Sequence, residues 1–299
     1  MTARILDGKT LAVTLRAEAA AAAADFAQQA GRAPGLGVIL AGDDPASRSY
    51  VTAKEKACAE AGVASREVLL PAHATREELL AAVHTLNRED SIDGILVQLP
   101  LPDPAMEDEI LEAMDPQKDV DGFHPVNAGK LSLGLPAFVP CTPAGIVEML
   151  RRAEIPLRGA EVVVVGRSRI VGRPLSILLS QKGVDATVTL CHSRTRDLAA
   201  HTRRADVVVA AVGRAGTLRA EMVKPGAVVV DVGVNRVPDV SKARGYRLEG
   251  DADFAGLLDV ASAITPVPGG VGPLTISMLL KNTVEAAQRR WTARRNARS

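Results

Sequence analysis

The sequence predicts an α/β protein of two lobes, each built on a parallel sheet. Short apolar runs recur between stretches of helical period, EVVVV at 161–165 being the plainest. The rhythm breaks once, across the Pro- and Gly-rich segment 115–143, and then restarts. A glycine turn from Gly166 to Gly172 follows EVVVV and opens an apolar helix, which makes the second lobe Rossmann-like. The expected division is 1–142 and 143–270, with a last helix over 271–299 packing back on the first lobe. Ligands in such sheets bind at the carboxyl ends of the strands, so a ligand cleft between the lobes is expected.

The elements follow in order. Asp7 caps a long helix through Leu11, Leu15 and the alanine run 19–24. Gly35–Ala41 is a buried strand, Pro45 to about Ala61 a helix, and Val68–Leu70 a strand. Thr75-Arg-Glu-Glu78 is a capping box that starts the next helix. IDGILVQL at 92–99 is a central strand, stopped by the prolines of PLPDP. The segment 115–143 lacks periodicity and is left without elements. Beyond it, strands at 161–165, 186–190, 206–212 and 227–232 are joined with helices at 174–182 and 198–204. The final helix, 273 to 297, begins with a proline, where a missing N–H is harmless.

Composition narrows the function classes. The 299 residues are 47% hydrophobic and 24% charged, with a formal net charge of +1. That is soluble globular composition, without a field to recruit nucleic acid or an anionic membrane. The uncharged stretch 131–147 is interrupted by Pro136, Pro140 and Pro143, and the alanine run is flanked closely by Arg16, Glu18 and Asp25. Neither reads as a bilayer span or a signal peptide, and the cytoplasm is expected. Cys58, Cys141 and Cys191 are scattered, odd in number and read as reduced, small apolar side chains. The five histidines show no paired ligand spacing, and no metal is expected.

The turn Gly166-Arg-Ser-Arg-Ile-Val-Gly172 has the strand–turn–helix context of a phosphate cradle, but Ser168 stands where a second glycine would be. By itself it fits nucleotide binding and plain strand–helix packing equally. The following strand ends in Cys191-His-Ser-Arg-Thr195, with no acid before Asp197. An acid there would hold the ribose hydroxyls of NAD; Arg194, Arg167 and Ser193 instead suit a 2′-phosphate, so NADP is favoured. Solvated surface charge is the alternative reading of these arginines. Turns at Val212–Gly216 and Asp231–Asn235 stand at further strand ends where a cofactor would lie.

Tyr50 and Lys54 are four apart on a helix and project from one face, just after Asp43-Asp-Pro-Ala-Ser-Arg-Ser49. A desolvated lysine loses its proton readily and becomes an acid/base near neutral pH. Gln98 ends a buried strand, where an amide needs a partner. Asp119 and Asp121 in KDVDGFHP could reach the same place, and a carboxylate there could accept paired hydrogen bonds from a ring N–H and an amino group. The loop Thr265–Pro273 is too rigid and glycine-rich for a casual linker.

The strings ILDGK, GDDPAS with SYVTAKEKAC, DGILVQLPLP, KDVDGFHPVNAGKL, PCTPAGI, GRSRIVGRP, DVGVN and ITPVPGGVGPLT occur in that order. Together they resemble the bifunctional methylenetetrahydrofolate dehydrogenase/cyclohydrolase family along nearly the whole chain. The resemblance implies NADP-dependent oxidation of 5,10-methylenetetrahydrofolate and hydrolysis of the methenyl product to 10-formyltetrahydrofolate, a reaction pair of one-carbon and purine metabolism. It places Tyr50, Lys54, Gln98 and Asp121 on catalytic and folate-binding positions: Tyr50 stacking on the folate, Asp121 holding the pterin edge, Gln98 orienting Lys54. It maps NADP contacts onto Gly166, Arg167, Ser168, Ser193 and Val234, and a folate-bordering loop onto Pro268, Gly269 and Gly270. It also implies a homodimer. Val234 stands where isoleucine is usual, and Ala252 alters the usual GDVDF at 250–254. A short-chain dehydrogenase also pairs Tyr with Lys, but after its glycine loop, and here Tyr50 precedes Gly166. Intact Tyr50, Lys54, Gln98 and Asp121 argue against a non-catalytic nucleotide or folate sensor, which NADPH absorbance with methylenetetrahydrofolate would settle.

Overall fold

The computed structural model describes residues 2–242 and 245–297. The chain begins with β1 (Arg4–Ile5), α1 (Gly8–Ala30), β2 (Gly35–Ala41), α2 (Pro45–Glu60), β3 (Ala64–Leu70), α3 (Arg76–Arg88) and β4 (Gly94–Val97). Three shorter or later helices follow, α4 (Glu107–Glu112), α5 (Pro125–Ser132) and α6 (Cys141–Arg152). Alternation then resumes with β5 (Glu161–Val165), α7 (Gly172–Ser180), β6 (Thr187–Cys191), α8 (Leu198–Thr202), β7 (Val207–Ala210) and β8 (Val228–Asp231). The last elements are β9 (Asn235–Pro238), β10 (Tyr246–Glu249), α9 (Phe254–Leu257), β11 (Ala263–Ile264) and α10 (Gly272–Asn296). Contacts divide these into two compact units, one of the residues up to Ala12 with Thr142–Thr275, the other of Val13–Cys141 with the chain from Ile276 onward.

In the unit built on Val13–Cys141, the sheet order is β3-β2-β4, all parallel. β2 is buried along its whole length because it is covered on both sides and on both faces. β3 is the open edge, and its exposed Ser65, Arg66 and Glu67 blunt it. β4 is shorter than the sequence suggests and flanks the sheet rather than centring it; an isolated bridge from Ile95 to Asp119 extends beyond it. Leu79, Val83 and Leu86 of α3 pack with Ile39, Ile95 and Ile110 in the core. The predicted capping box is present: Thr75 Oγ1 accepts from the Glu78 amide and Glu78 reaches back to the Thr75 amide.

The other unit carries a six-stranded parallel sheet, β1-β11-β8-β7-β5-β6. Valines of β5, β7 and β8 are buried on both faces, as a covered parallel sheet requires. Chain order reverses at β5, which lies between β6 and β7, and this switch point opens a crevice at its carboxyl end. The antiparallel pair β9–β10 and the two-residue strands β1 and β11 are absent from the sequence reading. So are α4, α5 and α6, the last two inside or overlapping the segment read as aperiodic. Among the described residues no helix is long and apolar enough to cross a membrane.

Candidate active site

Asp44 and Pro45 fix where α2 begins: the Asp44 carboxylate accepts from the Ser47 amide at 2.7 Å and the proline occupies the first turn. That start sets the phase of the helix. Tyr50, one turn in, is half exposed, whereas Lys54, the next turn on, is only 9% exposed. Lys54 Nζ donates to Gln98 Oε1 at 2.9 Å. The Gln98 amide cannot turn over without loss, because its Nε2 donates to the Leu99 carbonyl at 2.7 Å, so Oε1 is held toward the amine. Gln98 stands just past β4, half-buried, with its own backbone amide on the Ile39 carbonyl.

Burial pushes the Lys54 amine below its ordinary value of 10.5, while the charge of Asp121 opposes the shift. Burial likewise raises the Asp121 carboxyl, with Lys54 and the thiol of Cys141 pulling it back. The Cys141 thiol is itself driven well above its usual range by burial and by the Asp121 charge. Lys54, Gln98 and Asp121 are therefore one electrostatic cluster, with Tyr50 on its exposed side. Cys141, which composition classes as a plain buried side chain, adjoins it. Asn282 on α10 donates to the Val120 carbonyl at 2.8 Å and the Val139 carbonyl at 3.2 Å, tying the Asp121 loop to that helix. No local motif marks Asn282; only its position about three turns into a long helix of ordinary pattern brings it here.

The two aspartates of KDVDGFHP separate. Asp119 is fully buried and accepts from the Phe123 and His124 amides and from Asn127 Nδ2, so it builds the loop. Lys118 of the same motif is also fully buried, and its Nζ donates to the carbonyls of Leu86, Asn87 and Glu89, each at 2.8 Å. It caps the end of α3. Burial lowers it to about 8, yet three carbonyl acceptors suit the three protons of an ammonium, which keeps it charged at neutral pH.

In the second sheet, Gly166 leaves β5 with φ +128°, and a Cβ there would lie 2.0 Å from the Ala211 carbonyl oxygen. A Cβ on Gly172 would lie 1.9 Å from the Gly166 oxygen. Both glycines are thus required by backbone approach. Ser168 Oγ accepts from the Val171 and Gly172 amides at 3.1 and 3.4 Å, so the residue that replaces a glycine caps the start of α7. Arg167 and Arg169 are exposed beside it, as are Ser193 and Arg194 after β6. Exposed arginines on both strand-end segments, with no acid between Cys191 and Arg196, fit a phosphate-bearing ribose. Val234 is 48% exposed, beyond the end of β8.

Pro268 is exposed after a cis peptide, and Gly269 and Gly270 are buried. Gly269 has φ +111°. A Cβ on Gly8 would lie 1.6 Å from the Gly270 oxygen, so the glycine of ILDGK exists to let this loop pass. Among the described residues no group of three or more His, Cys, Asp or Glu side chains could hold a metal ion.

Comparison with known proteins places the chain in a family. Residues 6–121 match the tetrahydrofolate dehydrogenase/cyclohydrolase catalytic domain, and 140–291 its NAD(P)-binding domain. The bifunctional protein FolD of Paraburkholderia phytofirmans is 57% identical over 98% of this chain and 99% of its own. FolD 1 of Myxococcus xanthus is 55% identical over 96% and 98%. Among solved structures, the Campylobacter jejuni bifunctional FolD superposes with a TM-score of 0.90 at 48% identity, covering 96% of this chain and 99% of that one. The Trypanosoma brucei dehydrogenase-cyclohydrolase, complexed with NADP and an inhibitor, gives 0.92 at 42% identity, covering 97% and 99%. The chain belongs to the tetrahydrofolate dehydrogenase/cyclohydrolase family.

Proposed function

We propose that this chain oxidises 5,10-methylenetetrahydrofolate with NADP and hydrolyses the resulting 5,10-methenyl cation to 10-formyltetrahydrofolate. The observation that carries the proposal is the Lys54 amine: buried, held by Gln98, and lowered in basicity by desolvation. NADP, when bound, supplies the acceptor for the two electrons that leave the bridging carbon. Gly166, Arg167, Ser168, Ser193, Arg194 and Val234 would hold it, the arginines and serines meeting phosphate oxygens.

The remaining work falls to this chain's side chains. Tyr50 offers a half-exposed ring face on which the folate can stack, and Asp121 can accept paired hydrogen bonds from the pterin edge. Pro268, Gly269 and Gly270 border the folate. A positive lysine beside a positive one-carbon centre is unfavourable, so an amine with depressed basicity favours the oxidation. In the hydrolysis, neutral Lys54 takes one proton of the attacking water; the ammonium so formed returns it to the departing nitrogen as the ring opens, and the remaining hydroxyl proton leaves to solvent as the formyl C=O forms. Gln98 Oε1 accepts from the amine in either state and keeps it aimed.

The test is one assay that follows NADPH and methenyl absorbance together, run with NADP and with NAD. Appearance and decay of the methenyl signal, coupled to NADPH formation and stronger with NADP, is the expected result. A chain that binds folate and nucleotide without turnover would be a sensor instead. We also propose a homodimer acting in the cytoplasm; light scattering should give twice the 31.3 kDa chain mass.

A further inference from the structure

Two buried carboxylates organise the strand-end turns of the nucleotide-binding unit. Asp251 is fully buried. One of its oxygens accepts from the amides of Val212 at 2.6 Å and Gly213 at 2.9 Å; the other accepts from the Arg214 amide at 2.8 Å and from Asn235 Nδ2 at 2.9 Å. Asp231, which ends β8, accepts from the amides of Gly233, Asp251 and Ala252 at 3.0, 2.8 and 2.9 Å. Two glycines pass close against the pair. A Cβ on Gly233 would lie 2.1 Å from Asp251 Oδ1, and one on Gly250 would lie 1.8 Å from Asp231 Oδ2.

The three consecutive amides of 212–214 form a concave nest of the kind that binds phosphate in other proteins. Here a carboxylate of the chain itself fills the nest. Nucleotide phosphates are thereby left to the Gly166–Gly172 turn, whose arginines are exposed. All seven donors named are uncharged, so each carboxylate depends on amide geometry for its compensation. Moving the turn after β7, or the turn after β8 that carries Val234, would strip donors from a buried charge. The side chain of Asp251 therefore locks both turns in one relative position.

We propose that Asp251 is a positioning residue for the nicotinamide cofactor, holding the turns after β7 and β8 in the arrangement the cofactor meets. It rests on the reading under Proposed function. It adds a residue that a search for nucleotide-contacting side chains would pass over, because this one points inward.

The test uses the full-length chain. In Asp251→Asn one acceptor becomes a donor that faces backbone N–H groups. NADP affinity, measured by calorimetric titration, should fall by about tenfold or more. Amide hydrogen exchange at 212–214 should quicken, while hydrolysis of supplied methenyltetrahydrofolate, which needs no cofactor, should stay near wild type. Asn235→Ala removes one donor only, and should weaken NADP in the same direction by a smaller factor; it reads the same link should Asp251→Asn fail to fold. Unchanged NADP affinity in a folded Asp251→Asn chain overturns the proposal, as does equal loss of dehydrogenase and cyclohydrolase in both variants. The titration needs no turnover, so a wild-type chain inactive in both assays would overturn the reading under Proposed function and leave the test of Asp251 standing.

Discussion

Lys54 makes the case at the scale of a single residue. An amine buried beside an amide oxygen gives up part of its basicity, and that loss is what a lysine needs to act as a base near neutral pH. Lys54→Met keeps the volume and removes the amine. Cyclohydrolase activity should drop by about 10²–10⁴-fold with an unchanged circular dichroism spectrum; full turnover would remove Lys54 from the mechanism. In the wild type the rate should climb with pH along a limb centred below 10.5, because the neutral amine is the active form and burial lowers its pKa. Arg194, exposed after β6, tests cofactor choice. Arg194→Glu should weaken NADP by about 10- to 100-fold and NAD far less, since only the former carries a 2′-phosphate to be repelled. An unchanged preference, read by titrating each cofactor, would discard this account of the strand end. At this scale the sequence was informative where spacing was local. Tyr50 and Lys54 share a helix face, and Gln98 sits where a strand stops. Cys141 and Asn282 carried no such signal, because their roles arise from contact with Asp121 and Val120, distant along the chain.

At the scale of elements, caps explain what was legible. Asp44 with Pro45, and Thr75 with Glu78, are side chains whose partners lie within three residues, so the helix starts they define can be read directly. Thr75→Ala should cost about 1 kcal/mol in denaturant unfolding, through the loss of one amide acceptor; no change would mean that packing of α3 alone holds its first turn. α5 escaped notice because it has only eight residues and contains Gly129, and its cap is the Nδ1 of His124, which accepts from the Val126 amide. α6 was hidden by Pro143, which sits in the first turn, where proline costs little. The pair β9–β10 is short and half-exposed, and its pattern lacks the apolar run that marks the buried strands.

Over the whole molecule, ionisable groups link stability to pH with opposite signs. Glu148, clasped by Arg151 and Arg152, is lowered to about 2 from an ordinary 4.5. The folded state then holds fewer protons than the unfolded one between those values, so its contribution is present above pH 4.5 and fades as pH falls toward 2. Burial raises Asp231 from 3.8 to about 6, and its contribution declines as pH rises through that window. Comparing Glu148→Gln with wild type in urea should give a midpoint difference near pH 6 that vanishes near pH 2; a difference independent of pH would show that the ion pairs are not its source.

Local rules determined much of this protein by themselves. Alternating apolar runs and helical periods gave two parallel sheets, the glycine turn with the arginines after the next strand favoured a nucleotide-binding unit, and the ordered motifs, through their resemblance to a known family, implied the chemistry. The tertiary structure decided how β1 joins β11 at one end of a six-stranded sheet, which aspartate of KDVDGFHP builds the loop and which adjoins the amine, and why Gly8 must be glycine. The reason is physical. Periodicity and capping depend on neighbours a few residues away, whereas desolvation, charge pairing and close backbone approach depend on groups that only folding brings together.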